Sequence, residues 1–127
     1  MKIIIIIARI LLGLTFVVFG ANILHPFLAM KQPPMPELAG KFFEALAGSH
    51  YILVVGVFQL VGGLLLLIGY FVPLGLTLLG PVIVNILLFH ILLAQGAGLV
   101  PIPIVVAALW LVVFAGYWKR FESVLKP

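Results

Sequence analysis

Residues 73–94 read PLGLTLLGPVIVNILLFHILLA, and no charged side chain interrupts them. As a helix rising 1.5 Å per residue the stretch is about 33 Å long, enough to cross the hydrocarbon of a bilayer. A polar side chain at that depth costs free energy unless it has a partner. Asn85 and His90 are therefore its most informative residues.

Working outward, the whole 127-residue chain is 65% hydrophobic and 8% charged, with a mean hydropathy of +1.42. That composition lies far from a soluble domain and reads as an integral membrane protein. Three more apolar stretches, at about 3–25, 50–69 and 101–118, join the one at 73–94. The expected fold is all-α: one membrane domain over 1–127, an up-down-up-down four-helix bundle. The first stretch reads as a span rather than a cleaved signal, since Arg9 interrupts it and its apolar part outruns a signal core.

The connection 26–49 opens on His25-Pro26 and KQPPMP, then turns amphipathic over 36–48. Leu38, Phe42 and Leu46 recur every four residues, while Glu37, Lys41 and Glu44 pair at helical spacing. This predicts a short interfacial helix between the first two spans, either capping the bundle or covering a site.

Charge sets the orientation. Lys2, Arg9, Lys119, Arg120 and Lys126 against Glu122 leave +4 at the two ends, whereas Lys31 and Lys41 balance Glu37 and Glu44 in the connection. The positive-inside rule then puts both termini in the cytoplasm. The basic balance points to membrane lipid, not nucleic acid, because no basic stripe is interleaved with aromatics. Tyr51 at one edge and Tyr70, Tyr117 and Trp118 at the other suit aromatic belts, while Trp110 lies deep enough to pack.

Several chemistries fall away. With no cysteine, thiol–disulfide exchange by this chain alone is impossible. There is no Asp for a hydrolytic triad, and no acidic or thiol ligand supports His25 and His90 as a metal or haem pair.

The polar residues within the spans fall mostly in the outer half: Asn22, His25, Gln59, Asn85 and His90. Counting from the outer helix ends places Gln59 and Asn85 at nearly equal depth. Gly56, Gln59 and Gly63 share one helix face, and Thr77, Pro81 and Asn85 share another; both are expected to point inward. Pro81 lacks a backbone donor and so frees the Thr77 carbonyl for a buried amide. His90 lies higher and about 140° from Asn85 around the helix. Arg9, near the cytoplasmic end, is expected to snorkel, with Thr77 and Pro81 in structural roles.

With those residues in view, the chain resembles the DoxX-like family of small bacterial four-helix membrane proteins. The resemblance is carried by ARILLGLTFVVFGANILHPF (8–27), FFEAL (42–46), FQLVGGLLLLIGYFVPLGLTLLGPVIVNILLFH (58–90) and the basic end. It implies the same bundle and an association with membrane redox: a terminal quinol oxidase, thiosulfate:quinone oxidoreduction, quinone or catechol detoxification, and oxidative-stress complexes. It brings no cysteine, flavin or haem motif, and whether the chain is itself an enzyme stays open.

The resulting expectation is a pocket for a small amphipathic ligand, a quinone or related aromatic, bound by Gln59, Asn85 and His90 with Asn22 and His25 nearby, alongside a partner protein in a redox complex. Two other readings compete. One is an assembly subunit whose polar residues only fix packing. The other is a small transporter, which would need a homo-oligomer to form an alternating path.

Overall fold

A computed structural model describes residues 2–26, 36–93, 95, 96 and 101–125, with side chains as far as 122. The start of the proline-rich connection, Lys31, the 97–100 link and Lys126 lie outside those residues. Regular structure among the described residues is helical: α1 (Lys2–Leu24), α2 (Glu37–Gly48), α3 (Tyr51–Ile68), α4 (Val72–Leu88) running on into a π-helical segment (Phe89–Leu93), α5 (Ile102–Gly116) and α6 (Trp118–Leu125).

α1, α3 and α4 with its π segment are long and apolar enough to cross a membrane. α5 is apolar throughout but has 15 residues, about 22 Å. It stops short of the expected 101–118 span because the helix breaks at Tyr117, and the charged sequence WKRFESVL sets off as a separate amphipathic helix. α1 packs on α3 and α5, and α4 packs on the same two, so four helices close a bundle in which chain neighbours are antiparallel. Its core is Leu12, Phe16, Leu66, Leu76, Leu79 and Val113, all fully buried or nearly so.

The closest approach is between α1 and α3. A Cβ on Gly13 would lie 2.8 Å from the Gly63 carbonyl oxygen, and one on Gly63 would lie 2.8 Å from the Gly13 carbonyl oxygen. In lipid, where apolar surfaces gain nothing by leaving the solvent, such backbone contact is what binds helices together. The face of α3 expected inward is inward: Gly56, Gln59 and Gly63 are all buried.

The matching expectation for α4 is overturned. Thr77, Pro81 and Asn85 are exposed, and the helix instead buries Gly75, Leu76, Leu79, Val82 and Ile83. The reason is local. The Thr77 hydroxyl donates to the Pro73 carbonyl at 2.8 Å and Asn85 Nδ2 to the Pro81 carbonyl at 2.9 Å. Each polar group bonds back into its own helix, so neither needs a neighbouring helix. The Asn85 amide takes Pro81, not the carbonyl of Thr77 that the proline was expected to free.

One cross-helix bond does form beside that proline. Trp110 Nε1 on α5 donates to the Leu76 carbonyl at 3.0 Å, with its indole over Gly80 and its ring 5.0 Å from that of Phe114. Trp110→Phe keeps the ring and removes the donor. It is expected to cost about 1 kcal/mol, read as a lower unfolding midpoint of the purified protein.

Candidate functional site

The end of the bundle opposite the termini is organised by α2, which lies against α3 and the π segment. Its buried face is Ala39 with Phe43 and Leu46 partly covered, one residue round from the expected Leu38, Phe42 and Leu46; Leu38 is largely exposed. Lys41 Nζ and Glu37 Oε1 pair at 3.0 Å on the solvent side. Phe42 and Phe43 both turn onto Phe89, with ring centroids 5.7 and 6.1 Å away.

The π segment holds the histidine. His90 stands edge-on to Phe89, centroids 5.2 Å apart, and its Nδ1 lies 2.8 Å from the Ile86 carbonyl oxygen. A carbonyl only accepts, so Nδ1 carries the hydrogen, and Nε2 of the neutral ring is an acceptor. The Gly96 N–H closes the segment by donating to the His90 carbonyl at 2.6 Å. π turns in membrane and soluble helices alike are often found at functional sites.

Between α2 and the C-terminal part of α4 runs an open groove of about 260 Å³, lined by Phe42, Asn85, Leu88, Phe89, Leu92 and Leu93. Asn85 is its one amide. With one N–H engaged by Pro81, it keeps a second N–H and both lone pairs of Oδ1.

The other expected site residues stand elsewhere. Gln59, 6% exposed, is wedged against Gly20 of α1. Gly62 meets Leu79 and Gly75 meets Leu66 across the α3–α4 contact. That antiparallel register places Gln59 beside residue 82 and Asn85 beside residue 56, so the two amides differ in height by about 4.5 Å. They are not level, because α4 and its π segment overshoot the start of α3. Asn22 is half-buried with a partner of its own, and His25 is exposed at the end of α1. Of the five polar residues, Asn85 lines this groove, while His90 lies outside the lining and touches it only through the ring of Phe89. Phe42 and Phe89 were not anticipated as site residues. The FF pair in an amphipathic helix and the phenylalanine before His90 were the available signals.

A family model described as DoxX matches residues 4–91. The chain belongs to the DoxX family. The match runs from the first turn of α1 into the π segment of this DoxX protein, and so takes in Arg9, Gln59, Asn85 and His90; α5 and α6 lie beyond it. Comparison with curated proteins and with solved structures gave no match.

Proposed function

We propose that this DoxX-family membrane protein binds a small amphipathic ring compound, a quinone or related aromatic, in the groove beneath α2, as an accessory to membrane redox chemistry. The observation that carries the reading is the lining itself: one amide with a free donor and acceptor, set among two phenylalanines and three leucines. A flat ring can lie against the paired rings of Phe42 and Phe89, and an apolar tail can continue over Leu88 and Leu92 into lipid. The Asn85 amide suits either a carbonyl, which takes its N–H, or a phenolic hydroxyl, which donates to Oδ1. His90, outside the lining, supports the Phe89 ring edge-on from behind. Reduction or oxidation of the bound ring is assigned to a partner protein.

The groove lies on a lipid-exposed face, where Leu88 and Leu92 are open, so the ligand arrives from the bilayer. The test is direct. Protein purified in mild detergent is extracted with organic solvent, and its thermal unfolding is followed with and without added short-chain quinone. Co-extracted quinone or a saturable rise in the midpoint is expected; neither appearing would sink the proposal.

A further inference from the structure

Arg9 is a cation among apolar residues at the other end of the bundle. α1 runs on for about 10 Å from Arg9 to Lys2, through Ile3, Ile4, Ile6 and Ile7, all exposed to the surroundings. The arginine therefore lies on the hydrocarbon side of the boundary marked by Lys2. Its guanidinium lies against Gly69, in the turn that joins α3 to α4. Gly69 has φ +88°, and a Cβ there would strike Arg9 Nη1, so the glycine is required twice over. Arg9 Nε is buried and has no hydrogen-bond partner among the described residues, and no carboxylate among them forms a salt bridge with Arg9.

A cation inside the hydrocarbon boundary with an orphaned N–H is costly unless an anion or backbone oxygen meets it. Of the chain's three carboxylates, Glu37 and Glu44 lie on α2 at the opposite end, and Glu122 of α6, at the same end as Arg9, has another partner. Tyr70 and Phe71 of that turn are each 70% exposed and turn outward.

We propose that Arg9, held against the Gly69 turn, is a binding site for a phosphate oxyanion. The planar fork of a guanidinium matches two oxygens of a phosphate, which an ammonium cannot do. A lipid headgroup and inorganic phosphate present the same oxyanion. The height of the site, just inside the boundary, with Arg9 partly exposed, suits a headgroup drawn toward the recessed turn.

The experiment uses the full chain, delipidated in a neutral detergent. Unfolding midpoint and native mass are recorded with dimyristoyl phosphatidylglycerol, with inorganic phosphate, and with the detergent alone. The expected result is a saturable rise and a retained 1:1 adduct with phosphatidylglycerol, weakened at least tenfold in Arg9→Gln. Lys119→Gln combined with Arg120→Gln, which removes exposed charge at the same end, leaves that response in place. A response to inorganic phosphate that Arg9→Gln removes upholds the site and assigns it to the aqueous ion. Should Arg9→Gln fail to fold, Arg9→Lys carries the test, since it keeps the charge and loses the fork; tenfold weaker binding is again expected. No response to either probe, or one that Arg9→Gln and Arg9→Lys leave unchanged, overturns the proposal.

Discussion

Valine in place of Gly63 is expected to lower the stability of the bundle by about 3 kcal/mol, and to abolish folding if the protein has little in reserve. The first added carbon would already sit 2.8 Å from two backbone atoms, the Gly13 carbonyl oxygen and the Val17 nitrogen. Neither is the end of a flexible side chain, so α1 and α3 must separate along their length. Separation forfeits dispersion contacts that no hydrophobic gain replaces in lipid. Reversible unfolding in mixed micelles measures the effect. Gly40→Ala is the control: a Cβ on that α2 glycine meets nothing within 4 Å. It should be neutral or stabilising by up to about 1 kcal/mol. Equal losses in the two variants would mean that the tight α1–α3 approach contributes nothing special.

Asn85→Leu is expected to weaken quinone binding tenfold to a hundredfold, corresponding to about 1.4–3 kcal/mol for a hydrogen bond made in an apolar groove. Stability should change little, because the amide is exposed and its one hydrogen bond returns to its own helix. Phe42→Ala should weaken binding as well, since it removes one of the two rings that flank the site. Gln59→Leu, buried against α1 and away from the groove lining, should leave binding unchanged. Isothermal titration of detergent-solubilised protein separates these cases. An Asn85→Leu variant that binds as wild type, or a Gln59→Leu variant that does not, would relocate the site to the α1–α3 contact.

The contrast between Gln59 and Asn85 marks where sequence reasoning reached its limit. Both are amides in apolar runs beside small or helix-perturbing residues, and both helix faces read as inward. On α3 the glycines on that face decided the matter, because a neighbouring backbone can approach only there. On α4 the corresponding face held Pro81, Thr77 and Asn85, whose polar groups satisfied themselves within the helix. Local sequence contains no sign of which solution a helix adopts. Depth failed for a related reason: counting from helix ends assumes that neighbouring spans start level, and α4 with its π segment overshoots α3.

The sequence by itself determined the all-helical membrane bundle, the interfacial helix after the first span and the family. The bundle and the helix follow from apolar length and hydrophobic period, and the family from the resemblance carried by 8–27, 42–46 and 58–90, all read from contiguous residues. It also singled out Arg9, Asn85 and His90 by the cost of polar groups in hydrocarbon. Only the tertiary structure decided that Phe42 of α2 meets Phe89, that Asn85 faces this groove while Gln59 lies against α1, and that Arg9 rests on Gly69. Each of those is a contact between residues far apart in the chain. Their alignment depends on helix register and rotation, which side-chain packing sets in space and no local pattern encodes.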